Sequence, residues 1–288
     1  MKHITTVLIC LVLAAVMVAP AFAAGAEAPT DGLVIYYDFD NGEAKDLVGN
    51  NTFANIGNAT FVDGYKGKAI SFDGKGSIYV GGTEEAPLTS PNPNKSFSFS
   101  AWIKSNFKVI NDKGEEVNQD GALFCWGSFA GATGVWGFVQ AGSSNVCLAG
   151  YDASGTPALS NYAYAYNYEK EVRVDDNEWH NIIFVYDASK ESAVIYIDGQ
   201  LFDKDGAGLI KEMVVDGFDN HFFLGGRSQD SFYKGLLDEV RIYNRVITAA
   251  EAKALAGVSE APDTADYTAI AVLVAAISGA ALVLRKKH

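Results

Sequence analysis

The chain is poor in cysteine, with three in 288 residues. That count excludes a small disulfide-stapled scaffold, and a chain of this length can bury a full core without staples. Cys10 lies in the apolar N-terminal run, which leaves Cys125 and Cys147 as an even pair. In an exported chain the pair forms a disulfide, or it stays as two buried thiols in neighbouring strands; both readings stand. The spacing does not suggest zinc, and no histidine lies close enough in sequence to complete a site. Histidine is scarce too. Away from the termini only His180 and His221 remain, and neither belongs to a Ser/His/Asp pattern. No phosphate-binding loop is present, since the 29 glycines fall at turns. There is no repeat at a fixed period and no low-complexity block.

Positive charge is also in short supply. Lys and Arg number 22 against 35 Asp and Glu, for a net charge of −13. Four of the basic residues (Lys2, Arg285, Lys286 and Lys287) lie in the terminal segments and none of the acidic ones does, so the stretch between is more acidic still. Such a surface repels phosphate backbones and anionic lipid, which argues against nucleic acid as a partner. It suits divalent cations and neutral ligands.

Both ends carry long apolar runs. Lys2 precedes the run Ile4 to Ala19, and Ala21-Phe22-Ala23 is a small-x-small cleavage signal. Residues 1–23 therefore read as a signal peptide. Residues 267–284 contain no charge and are followed by the basic tail 285–288. Eighteen residues at a rise of about 1.5 Å span roughly 27 Å, enough for a transmembrane helix with the tail inside and the preceding domain outside. The linker 258–266 holds Pro262-Asp263-Thr264, and this Pro-x-Thr, apolar span and basic tail resemble the sorting signal of Gram-positive surface proteins. Sortase cleavage after Thr264 and a plain tail anchor are the two alternatives, since Ala261 and Ala265 replace the usual Leu and Gly. Either one displays the domain on the cell surface.

Residues 31–257 read as one all-β domain. Leu33 to Phe39 is β-branched and aromatic. Residues 69–72 and 78–80 flank the turn sequence Asp73-Gly74-Lys75-Gly76. Ser96 to Ile103 alternates, with Phe97, Phe99, Ala101 and Ile103 on one face and Ser96, Ser98, Ser100 and Trp102 on the other. Trp179 to Tyr186 and Ala193 to Ile197 form a hairpin around Asp187-Ala188-Ser189-Lys190, and Asp198-Gly199 makes the next tight turn. Phe222 to Leu224 and Leu236 to Tyr243 are late strands. Thr248-Ala249-Ala250-Glu251 is a capping box that opens a short helix, and Gly257 ends it. Many short strands with one terminal helix predict a β-sandwich.

In order along the chain, Tyr37-Asp38-Phe39-Asp40, residues 67–74, Phe97 to Ile103, Trp179-His180, Tyr196 to Gly199 and residues 235–245 resemble a laminin G-like domain. That domain belongs to the concanavalin A-like lectin/glucanase superfamily. The resemblance implies a two-sheet antiparallel jelly roll from about Gly32 to Leu255, with its first and last strands side by side. It further implies a structural calcium ion where those strands meet, held by Asp40 and Asp238 with Asp46 or a loop carbonyl. In the alternative, Asp238 caps a turn and pairs with Arg241 or Arg245.

Retaining glucanases of the superfamily need two carboxylates about 5 Å apart. Here Asp175-Asp176-Asn177-Glu178 precedes Trp179 at a turn, Glu115-Glu116 lies in a polar loop, and Asp238-Glu239 is expected to place one acid on each strand face. The remaining candidate is aromatic. Tyr162, Tyr164, Tyr166 and Tyr168 share one face of any strand they form, with Trp126 and Trp136 on the preceding strands. Such a face suits sugar rings, or else it packs between the sheets. The expected function is a non-catalytic carbohydrate-binding module. A protein-binding adhesin comes next, and a glucanase with an unrecognised acid pair third.

Overall fold

The alternation in residues 97–104 sets the frame. Phe97, Phe99, Ala101 and Ile103 enter the core, while Ser98, Ser100 and Trp102 take the outward face. The computed structural model describes residues 27–49, 53–55, 58–81, 95–126, 135–142, 145–150, 163–165, 172–202, 221–227 and 231–258. The leader 1–23, Thr264, the span 267–284 and the tail lie outside them. Among the described residues no helix is long and apolar enough to cross a membrane.

The strands are Leu33–Tyr37 (β1), Phe53–Asn55 (β2), Thr60–Asp63 (β3), Lys68–Asp73 (β4), Ile78–Gly81 (β5), Phe97–Lys104 (β6), Lys108–Ile110 (β7), Glu116–Asn118 (β8), Gly121–Trp126 (β9), Val135–Gln140 (β10), Asn145–Gly150 (β11), Ala163–Ala165 (β12), Trp179–Asp187 (β13), Ser192–Ile197 (β14), Gln200–Leu201 (β15), His221–Leu224 (β16) and Lys234–Tyr243 (β17). One sheet runs β15-β14-β13-β6-β17-β4-β3, with β1 also on β17. The other runs β12-β11-β10-β9-β16-β5-β2, and β7 and β8 form a separate ribbon. All the strand pairings are antiparallel. This is the expected jelly-roll sandwich. The turn 73–76 carries the chain from one sheet to the other. Between the sheets Phe99 stacks on Phe124 at 4.3 Å, and Phe184 meets the same ring edge-on at 5.6 Å.

Strand β1 lies beside β17, with Tyr37 opposite Val240, as the resemblance implies. Along one edge β17 changes partner: Lys234 to Leu237 pair with β4, and Val240 to Tyr243 pair with β1. At the changeover β17 bulges between Asp238 and Arg241 against β6, and Glu239 takes φ 51°. A bulge inserts an extra residue and re-aims its side chains.

The single helix, Ala249–Leu255 (α1), forms through its capping box. Thr248 Oγ1 accepts the Glu251 N–H, and the Glu251 carboxylate accepts the Thr248 N–H at 2.7 Å. Its buried Ala252 and Leu255 pack with Ile183, Tyr196 and Tyr243 on the larger sheet's outward face.

Candidate functional site

The expected aromatic face divides between the two sides of the smaller sheet. Trp126 opposes core residue Val135, is 1% exposed, and packs its ring on Phe222 at 5.2 Å. It is a core residue and not part of a ligand face. Trp136 opposes Cys125 and Ala149, one position out of step, so the pleat turns it to the outward face. There it packs with Phe138 and Phe223 under the Arg227 guanidinium, 5.1 Å from its ring, and is only 6% exposed. Tyr164 pairs with Cys147 across β11 and β12. Tyr162 and Tyr166 lie outside the described residues. Trp136 thus belongs to a small buried apolar cluster on that face.

Cys125 and Cys147 are both buried thiols without a disulfide. The expected alternative of neighbouring strands also needs correcting. Strand β10 runs between β9 and β11, which sets them two strand spacings (roughly 9–10 Å) apart. That exceeds the reach of a disulfide. Burial pushes the Cys147 thiol up to about 12.

The three acids expected around calcium take backbone N–H groups instead. Asp46 Oδ1 accepts from Tyr36 N at 3.1 Å and from Val48 N at 3.0 Å. Asp40 Oδ1 accepts from Lys68 N at 3.0 Å, and Asp238 Oδ2 from Lys66 N at 2.9 Å. Asp40 and Asp238 thus both hold the turn between β3 and β4. Gly67 makes this possible. Its φ is +56°, and a Cβ there would collide with the Asp40 carboxylate. Among the described residues no three His, Cys, Asp or Glu side chains gather closely enough to hold a metal ion. The turn-capping alternative for Asp238 holds, while Arg241 pairs with Glu239 and Arg245 with Glu251.

The bulge overturns a second expectation. Asp238 opposes Trp102 on the outward face. Glu239 joins it there, because the left-handed backbone breaks the alternation. The Glu239 carboxylate accepts the Tyr36 hydroxyl at 2.9 Å and the Arg241 guanidinium at 2.5 Å, and the Arg241 head lies 4.0 Å from the Tyr36 ring. Both acids are thus on one face, yet both are buried and engaged. Burial raises the Asp238 carboxyl to about 7.

Above this charged floor lies an aromatic corner that the sequence reading missed. Tyr65, at the tip of the β3–β4 turn, stacks on Trp102 with centroids 3.6 Å apart and planes 10° from parallel. Trp179, at the start of β13, meets Tyr65 edge-on at 6.1 Å. Tyr65 remains 44% exposed, and Lys66 beside it carries an exposed ammonium 3.8 Å from Glu239. The signal was present in the sequence: Trp102 is an aromatic ring on an otherwise serine face, and Tyr65 sits in a Gly-bounded turn.

His180 follows Trp179. Its Nδ1 lies 2.8 Å from Asp198 Oδ2 and its Nε2 3.1 Å from Asp176 Oδ1. The Asp198 bond raises the imidazole above its ordinary 6.5, with Asp176 adding to it against the effect of burial.

A family model for the concanavalin A-like lectin/glucanases superfamily matches residues 73–253. The chain belongs to this superfamily. The sequence has no match among the curated proteins. Among solved structures, domain 4 of AbnA, a GH43 extracellular arabinanase from Geobacillus stearothermophilus, in complex with arabinotriose, is similar at 23% identity. It is matched over 80% of this chain and 99% of that one, with a TM-score of 0.55. The binding domain of Botulinum neurotoxin DC in complex with SialylT is similar at 14% identity over 78% of this chain, with a TM-score of 0.58. The same toxin domain with rat synaptotagmin II gives 15%, 78% and 0.53. The chain spans about half of those toxin domains, at 51% in each case. At such identities the likeness shows the jelly-roll fold that this superfamily member shares with them.

Proposed function

We propose that the chain is a non-catalytic binding module whose ligand is a carbohydrate, received at the Tyr65–Trp102–Trp179 corner. The carrying observation is the exposed Tyr65 ring, backed by Trp102 and flanked by Trp179. Sugar rings present C–H faces that stack on such a surface, and a tyrosine's polar tip stays solvated while its ring packs. Lys66, Asp198 and Asp176, each with an exposed charged head, stand ready for hydroxyl groups. The arabinotriose and SialylT complexes of proteins with this fold support a glycan ligand. Asp238 and Glu239 are buried and bonded to the protein, which supports binding over hydrolysis. The leader-like start and the apolar span 267–284 support display at the cell surface.

A protein ligand is the second reading, favoured by the synaptotagmin II complex of the toxin domain. A glycan array probed with the full chain separates the two. The expected result is retention on a defined glycan group, lost in Tyr65→Ala and kept in Trp136→Phe. An empty array, or retention indifferent to Tyr65→Ala, would remove the glycan reading at this corner.

A further inference from the structure

The end of α1 comes to rest beside Tyr65. A Cβ on Gly257 would lie 3.6 Å from the Tyr65 hydroxyl, and one on Gly199 would lie 3.4 Å from Val258 Cγ2. The helix itself fixes this placement. The Gly257 N–H donates to the Ala254 carbonyl at 3.0 Å, and the Val258 N–H donates to the Lys253 carbonyl at 2.9 Å. With Gly257 at φ +67°, the two bonds form a Schellman motif, a tight stop that needs a left-handed residue. Val258 is thus held in place. Yet 42% of it is exposed, and it packs in none of the described core clusters. A fixed, exposed valine beside an exposed tyrosine is a surface suited to the apolar edge of a ligand.

The polar groups on this side of the corner are acceptors. A helix leaves its last four carbonyls without partners inside the helix. Here the Schellman motif takes those of Lys253 and Ala254, so those of Leu255 and Ala256 are left by it as acceptors at the end of α1 that meets Tyr65. The turn between β14 and β15 adds a carboxylate. Burial first, then the charges of Glu239 and Asp198, raise the Tyr65 hydroxyl above its ordinary value, so Asp198 lies within electrostatic reach of it. The Asp198 side chain is 41% exposed. Its oxygens already meet His180 and the Asn181 N–H, and they keep further lone pairs beyond those two contacts.

We infer that the end of α1 is part of the glycan site: Val258 packs against the edge of a sugar stacked on Tyr65, and the Leu255 and Ala256 carbonyls with the Asp198 carboxylate accept hydroxyls along that edge. This deepens the reading proposed above and rests on it. Trp179 meets Tyr65 edge-on as one wall of the corner, and the Gly257–Val258 stop is another, beside the tyrosine's hydroxyl. The chemistry of this second wall narrows the ligand. Carbonyls and carboxylates have no hydrogen to give, so the sugar must bring donors to them. The ligand class is a glycan with free ring hydroxyls on the edge that lies toward α1.

The test repeats the glycan array with the full chain carrying Val258→Ser, Val258→Ile or Val117→Ser, beside Tyr65→Ala, and melts each variant. Val117 is the control, an exposed valine on the separate β7–β8 ribbon. Val258→Ser should lower retention about fivefold, the effect of roughly one methyl group withdrawn from contact. Val258→Ile keeps the apolar edge and should keep retention, as should Val117→Ser. The melting temperatures of the three valine variants should stay together, because both sites are exposed. Retention lost in Tyr65→Ala but unchanged in Val258→Ser overturns this inference and leaves the corner standing. An equal loss in Val117→Ser overturns it as well, and so does a Val258→Ser chain that melts well below the others, since the valine would then serve the fold. An empty array, or retention indifferent to Tyr65→Ala, removes the corner and this wall with it.

Discussion

Tyr65 and Trp102 lie face to face at 3.6 Å, although one belongs to a surface turn and the other to the middle of a sheet. The turn is brought there by side-chain carboxylates. Asp238 takes the Lys66 N–H and Asp40 the Lys68 N–H, so the backbone on both sides of Tyr65's partner Lys66 is pinned to the strands below. The same acids that resemble a cation set therefore act as staples for a loop that carries an exposed ring.

This arrangement separates stability from recognition. Tyr65→Ala removes a half-exposed ring and should cost about 0.5–1.5 kcal/mol, the worth of an aromatic pair. Trp126→Ala should cost about 3–5 kcal/mol, since it empties a fully buried site. Chemical denaturation of the two variants checks the difference. Equal losses would mean that Tyr65 serves the core.

Stability should depend on pH in a defined direction. Burial raises the Asp238 carboxyl from 3.8 to about 7, so the folded chain keeps a proton that the unfolded chain has released, and stability falls as pH rises between those values. His180 is also raised, and its contribution, full below 6.5, is lost as pH climbs through its folded value. Glu251 is held at about 2 by its bond to Arg245, so its contribution is present above 4.5 and is lost as pH drops toward 2. The melting temperature should peak at about pH 4–6 and decline on both sides. A melting temperature that climbs steadily from pH 5 to 8 would contradict this balance.

Because Asp40, Asp46 and Asp238 are bonded to amides, a chelator should leave the melting temperature unchanged. Asp46→Ala, by contrast, strands the Tyr36 and Val48 N–H groups and should cost about 1–3 kcal/mol. Thermal melts with and without EDTA test the first point, and denaturant titration tests the second. A chelator-induced drop restored by Ca²⁺ would show that a cation holds this region after all.

Cys125 and Cys147 should both resist a water-soluble thiol reagent in the folded chain and react after denaturation, because burial keeps Cys147 protonated and its neighbour out of reach. Non-reducing electrophoresis should show no cross-linked species. Rapid labelling of the native chain would indicate an open smaller sheet.

What the sequence discloses follows the range of the interactions. The capping box of Thr248 and Glu251, the Asp187–Lys190 turn and the Asp198-Gly199 turn are local, so residue type and spacing suffice to read them. The neighbourhood of β1 and β17 came through the family resemblance. The facing of Trp126 and Trp136 depends on register across β9 and β10, which no single segment records, and a one-residue offset sends the rings to opposite sides. The bulge was hidden for another reason. Glu239 adopts a left-handed backbone without being glycine, so nothing in Asp238-Glu239-Val240 marks the break in alternation. Trp102 was legible as an aromatic among serines, but its partner in a distant turn was not.

The join between β1 and β17 has a mechanical side. Leu33 opposes Tyr243 at the rim, Asn244 donates to the Gly32 carbonyl at 2.9 Å, and the Tyr243 hydroxyl reaches Pro29 at 3.0 Å. The chain enters at this rim, whereas α1 carries it across to the Tyr65 side, where a Cβ on Gly257 would lie 3.6 Å from the Tyr65 hydroxyl and one on Gly199 3.4 Å from Val258. Tension applied across residues 27 and 258 would therefore pass from that rim through α1, whose Ala252 and Leu255 pack on Tyr196 and Tyr243. A module tugged through residue 27 and a ligand held at Tyr65 would carry the force across the sheet from Tyr65 to Tyr243, and one tugged through residue 258 would leave the sheet almost unloaded.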